Sequence, residues 1–237
     1  MSTEFFNDQW RIPSNENQNK VSNYSMEFDG SGNDFVDIGS QTFNPDHSLS
    51  FWINSVVSGP NSYGGILAGG ANSISIDQGG GIIGVGKFYF RISSVNYTVS
   101  STALVDETWN HVALTRSGTN VKFYINGVLD KTSTVPAYST WQYIGTQTTA
   151  GNNPFNGKLD QVTIFDYELS QAQVTTLGNS GSVVNPMALS PAPVSYYQLG
   201  DQSVSTGATA NYLVPNNSLK DYVFETSPSG AKRFNIP

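Results

Sequence analysis

Apolar and polar residues alternate with a period of two over most of the chain, which predicts strands rather than helices. The alternation begins at Tyr24 and runs through Ser25-Met26-Glu27-Phe28. It breaks in the turn-forming stretch Asp29-Gly30-Ser31-Gly32-Asn33-Asp34 and resumes at Phe35-Val36-Asp37-Ile38. Further strands are predicted at 48–53, 64–69, 73–76, 87–92, 97–99, 110–116, 121–125 and 157–165. Asn126-Gly127 forms a hairpin turn into a strand at 128–130. One short helix is signalled after Leu169. Ser170 can cap it and Gln173 completes a capping box, Val174 and Leu177 share a face with Leu169, and Gly178 ends it. Many short strands at regular spacing with one helix predict an all-β protein, an antiparallel jelly-roll β-sandwich.

Outside this region the pattern weakens. Residues 1–23 read as an N-terminal arm, 24–179 as the sandwich, and 180–237 as a linker and C-terminal extension. The last of these has a strand-like piece, Val194-Ser195-Tyr196-Tyr197-Gln198-Leu199. Trp10 to Phe28 is weakly echoed by Tyr212 to Glu225, as though a second unit opened and stopped. The core is expected to fold without residues 1–22 or 194–237, whose aromatics would then pack on the sandwich or on a neighbouring chain.

Charged residues are only 12% of the 237, and polarity comes instead from Ser, Thr, Asn, Gln and 23 glycines. The net charge of -7 and the lack of any basic run make a nucleic-acid partner improbable. With no cysteine there is no disulfide frame, thiol nucleophile or cysteine-based zinc site. No stretch reaches the ~20 apolar residues of a membrane span, so membrane insertion is not expected. Met1 to Pro13 has no basic start followed by an apolar run, so classical export is not expected either.

Four segments in order resemble the laminin-G-like domains of the concanavalin A-like lectin and glucanase superfamily. They are Tyr24 to Gly39, Leu49-Ser50-Phe51-Trp52-Ile53, Trp109-Asn110-His111-Val112-Ala113 through Asn126-Gly127, and Phe155 to Ile164 followed by Leu169-Ser170. The resemblance covers about residues 24–178 and implies the sandwich fold. It implies little about function, because the fold hosts lectins, glucanases, adhesion modules and virus structural proteins. The segment Pro193 to Asp201 is similar to stretches that precede such domains in proteins of marine bacterial viruses.

The resemblance also suggests where chemistry could lie. Related domains bring an aspartate of the closing strand near the Asp-Gly turn of the opening strand. Here a calcium ion would fall to Asp29, the Gly30 carbonyl and Asp160; the plain alternative is that Asp29 supports a turn and Asp160 bonds backbone amides. Glucanases of the superfamily carry Glu-x-Asp-x-x-Glu on one strand. The nearest string, Glu27-Phe28-Asp29-Gly30-Ser31-Gly32, lacks the last carboxylate, so no hydrolase activity is expected. His47 and His111 are read as structural. A glycan needs exposed aromatic platforms, and Tyr63, Tyr138, Trp141 and Tyr143 lie in or near probable loops, whereas Trp52 and Trp109 match core positions.

Two non-enzymatic functions follow as expectations. The first is a structural component of a bacteriophage virion, a capsid decoration or fibre, held to other virion proteins or to itself as a homo-oligomer by its terminal arms. The alternative is a carbohydrate-binding adhesion module, extracellular or at a cell surface. A glycoside hydrolase is a distant third.

Overall fold

The computed structural model describes residues 25–30, 35–43, 45–58, 61–92, 95–136, 140–147, 152–178, 183–199 and 215–216. The strands form two antiparallel sheets packed face to face, as the alternation predicts. In the first sheet β1 (Met26–Asp29) is followed by β12 (Asn156–Phe165), β3 (His47–Ser55), β8 (Trp109–Ser117), β9 (Asn120–Ile125) and β10 (Val128–Thr134). Strand β13 (Ser195–Tyr197) continues the line of β1 along the same edge of β12. In the second sheet β14 (Pro215–Asn216) is followed by β2 (Phe35–Thr42), β11 (Thr140–Ile144), β4 (Tyr63–Gly69), β5 (Asn72–Asp77), β6 (Lys87–Ile92) and β7 (Val95–Ala103).

The inner faces interdigitate to form the main core, for example Phe51 of β3 edge-on to Phe88 of β6 at 6.4 Å. Where β10 and β7 meet, the Asp130 carboxylate accepts the Ser101 and Thr102 N–H groups at 2.7 and 2.9 Å. This occupies donors of β7 that would otherwise invite another strand.

The helix α1 (Gln171–Gly178) forms as signalled. The Ser170 N–H donates to Gln173 Oε1 and the Gln173 N–H to Ser170 Oγ, at 2.9 and 3.3 Å. The helix covers the outer face of the first sheet, where Val174 and Leu177 bury against Ala113, Tyr124 and Phe165. Trp52 is buried on the same face, against His111, while Trp109 is half-exposed.

Two expectations need correction. The sandwich does not end at residue 179: β13 is one of its strands, and Tyr196, Tyr197 and Leu199 are fully buried. The stretch 138–143, expected to be loop, holds β11, an interior strand of the second sheet. A bulge between Trp141 and Tyr143 turns both Trp141 and Ile144 into the core although they are three residues apart. The N-terminal arm and the Tyr212 to Glu225 part of the echo, apart from β14, lie outside the described residues. Among the described residues no helix is long and apolar enough to cross a membrane.

Candidate functional site

The expected calcium ligands do not come together. Asp29 pairs with Asn156, and Asp160 lies four positions further along β12, about 13 Å at the rise of a strand. Two carboxylates on one calcium ion must lie within ~5 Å of each other. The Gly30 carbonyl accepts Asn61 Nδ2 at 2.8 Å. Asp29 is exposed, whereas Asp160 is fully buried. These donors do not fit a shared ion, and among the described residues no three of His, Asp and Glu gather.

Asp160 instead belongs to a buried polar patch on the outer face of the first sheet, with Gln161, His111 and Tyr196. The Gln161 amides lie nearest to its carboxyl, but neither meets hydrogen-bond geometry. Burial raises the Asp160 pKa well above the usual carboxylate range. Burial also lowers that of His111 to about 3, so the imidazole stays neutral and shares a hydrogen bond with Ser50 Oγ at 2.8 Å. The two shifts act on stability in opposite senses. Asp160, raised, favours the folded state below the unfolded carboxylate value of ~3.9, and that contribution is lost as pH rises through its folded value. His111, depressed, costs stability as pH falls from ~6.5, because only the unfolded chain takes the proton. Asp160→Asn is therefore expected to stabilise the protein near pH 8, and by less near pH 4. Urea melts of both proteins at the two pH values check this; an equal difference at both would count against a raised Asp160.

The outer face of the second sheet is different in kind. In-register pairs run across it from Asp37 on β2 to Tyr143 on β11, Ala68 on β4, Ser73 on β5 and Arg91 on β6. Their neighbours Ile38, Ile74 and Phe90 point into the core, so strand alternation turns this row outward. Tyr143 and Arg91 stand three strand spacings or about 14 Å apart, and Ala68 and Ser73 between them are small and buried. Tyr143 is half-exposed and meets Phe35 edge-on at 5.6 Å.

A hydrogen-bonded hub braces this face. Just past the end of β11 the chain runs over Gly65, where a Cβ would come within 2.0 Å of the Gln147 nitrogen. This places the Gln147 amide above β5 and β6. Its Nε2 donates to Ser75 Oγ at 3.2 Å and to the Tyr89 hydroxyl at 2.6 Å, and its Oε1 accepts from Arg91 Nη1 at 3.0 Å and from Asn153 Nδ2. Both donors and both lone pairs of the amide are thereby used. Burial pushes the Tyr89 phenol up to about 12, so it stays neutral. Tyr63 sits on the same face with its ring 5.4 Å from Tyr89, and its hydroxyl accepts the Ile82 N–H at 3.0 Å.

Of the expected glycan-facing aromatics, Tyr63 and Tyr143 lie on this face. Trp141 does not: it is fully buried in the core with Nε1 donating to His47 Nε2 at 3.2 Å, so it is no platform for a ligand. Tyr138 lies outside the described residues. Arg91, Gln147, Ser73 and Ser75 were not singled out from the sequence. The one available signal was Lys87-Phe88-Tyr89-Phe90-Arg91, whose alternation puts two cations and a tyrosine on the polar side of a strand.

Several solved structures share the fold. A Bacteroides ovatus protein provisionally assigned as carbohydrate-binding superposes with a TM-score of 0.60 at 20% identity, over 82% of this chain and 60% of its own. The chain thus spans less than two thirds of that protein. The heptameric SAP-like pentraxin of Limulus polyphemus gives 0.57 at 15% identity, over 83% of this chain and 94% of its own. The CBM40 of the Ruminococcus gnavus IT-sialidase, solved with α2,3-sialyllactose, gives 0.51 at 14% identity, over 65% and 96%. A search of curated protein sequences found no match. The laminin-G-type family profile described as concanavalin A-like lectin/glucanases matches residues 29–175, and the chain belongs to that superfamily.

Proposed function

We propose that this protein is a carbohydrate-binding module that takes its glycan on the outer face of the second sheet and does not cleave it. The row from Tyr143 across Ala68 and Ser73 to Arg91 carries the reading. It offers two things that a sugar-binding surface needs: an accessible aromatic ring for the apolar face of a pyranose in Tyr143, and a fixed hydrogen-bonding group in Arg91. The Gln147 hub holds that group in place before a ligand arrives, which lowers the ordering cost of binding. The Bacteroides ovatus protein and the CBM40 support the same reading through their assigned ligand class. Of the two functions expected from the sequence, these observations favour the glycan module; none bears on the virion role.

A panel of immobilised glycans followed by titration calorimetry tests the proposal. Tyr143→Ala is expected to weaken the best ligand about tenfold, or 1.4 kcal/mol. Its melting temperature should change little, since the ring is half-exposed. Binding that survives both Tyr143→Ala and Gln147→Ala would move the site elsewhere. Release of reducing ends from the bound glycan would contradict the non-catalytic role.

A further inference from the structure

We infer that the glycan is anionic, with a sugar carboxylate seated on Arg91; this rests on the reading of the second sheet's outer face as the binding surface. Strand β6 turns Lys87, Tyr89 and Arg91 outward, so two cations stand on one face of a chain whose net charge is -7. Among the described residues neither cation has a carboxylate within ion-pair distance. Asp77, next to Lys87 in the sheet, is fully buried, and its two oxygens accept four backbone N–H groups, from Gly79, Gly81, Ile83 and Gly84. Those bonds turn its oxygens toward the 79–84 loop, and it makes no ion pair with Lys87. Asp37, at the far end of the row, is four strand spacings from Arg91, about 19 Å. That exceeds the Debye length of ~8 Å at physiological salt.

Arg91 is also positioned rather than loose. Its Nη1 is fixed on Gln147 Oε1, which is itself tied to Ser75 and Tyr89 through the same amide. One donor of the guanidinium is spent this way. The remaining planar donors can form the paired bonds that match a carboxylate better than the tetrahedral oxygens of a sulfate ester. Lys87 adds a second, point-like charge four residues along the strand, about 13 Å away. With Tyr143 about 14 Å from Arg91 along the row, the face suits a short oligosaccharide with its acidic sugar at the β6 end and a stacked ring at the β11 end.

The test uses the full chain and matched glycan pairs: sialylated and uronate-bearing oligosaccharides, each with its carboxyl-reduced counterpart, and a sulfated galactan oligosaccharide. Reduction of the carboxyl is expected to cost the better acidic ligand about tenfold or more in affinity. Affinity for the intact glycan should fall as salt rises, and that for the reduced one should not. Arg91→Ala should lose the preference, and Arg91→Lys, which keeps the charge without the planar fork, should regain only part of it. The wild-type comparison needs no variant to fold. Equal affinity for acidic and reduced glycans, or a preference for the sulfated one, would overturn the inference while leaving the glycan module standing. If no glycan binds, the module reading fails as well.

Discussion

A chain ending at Pro193 is expected not to fold, or to unfold at room temperature, whereas one ending at Leu199 should melt at a distinctly higher temperature. The difference is β13. Tyr196, Tyr197 and Leu199 are fully buried, and three such side chains stabilise by roughly 5–9 kcal/mol in all, an upper figure because the unfolded chain hides some of this surface. That is comparable with the ~5–15 kcal/mol that holds a domain together. The strand also pairs with Val162, Thr163 and Ile164 of β12, which would otherwise become an exposed edge there. It links the two sheets as well: Ser195 Oγ donates to Gln41 Oε1 of β2 at 2.7 Å, and Gln41 Nε2 donates to the Tyr197 hydroxyl. Far-UV circular dichroism and thermal melts of the two truncations decide the matter. Equal melting of both chains would mean that β13 is dispensable, as the sequence alone led us to expect.

The place of β13 in the sandwich was not legible in the sequence for a definable reason. Period-two alternation says that Val194 to Leu199 is a strand, but not which edge it joins. The intervening Ser, Gly and Pro residues look like a linker whether the chain leaves the sandwich or crosses its surface. Alternation succeeded wherever it was unbroken. Phe88, Phe90 and Ile92 face inward on β6, and Leu49, Phe51 and Ile53 do so on β3, as their spacing requires. The helix was legible because its capping box is a local device. The binding face was mostly illegible. Its members come from five strands, and Asp37, Ala68, Ser73, Arg91 and Tyr143 become neighbours only through cross-strand register, which a single sequence does not print. Tyr63 and Tyr143 were picked out as exposed aromatics. Gln147 carried no signal at all, because its role depends on Gly65 letting the chain pass over β4.

Trp141 separates the two pictures most sharply. As a platform on a surface loop, its replacement by alanine would abolish glycan binding and leave stability unchanged. In the structure the indole is fully buried, edge-on to His47 at 6.3 Å and tilted against Phe90 at 6.4 Å. Trp141→Ala should then lose about 3–5 kcal/mol, the cost of removing a large ring from a packed core that closes only partly over the gap. Trp141→Phe should lose less, about 1–3 kcal/mol, chiefly because the indole N–H no longer satisfies His47 Nε2 inside the core. Strand β11 adds to the sensitivity. It lies between β2 and β4, and its bulge brings Trp141 and Ile144 onto the same side, so loosening the indole loosens the strand that carries Tyr143 outward. Urea denaturation of the three proteins gives the order directly, and titration with the best glycan completes the test. The alanine variant should bind in proportion to its folded fraction. A stable Trp141→Ala protein that has lost the ligand would return this tryptophan to the surface and displace the proposed site.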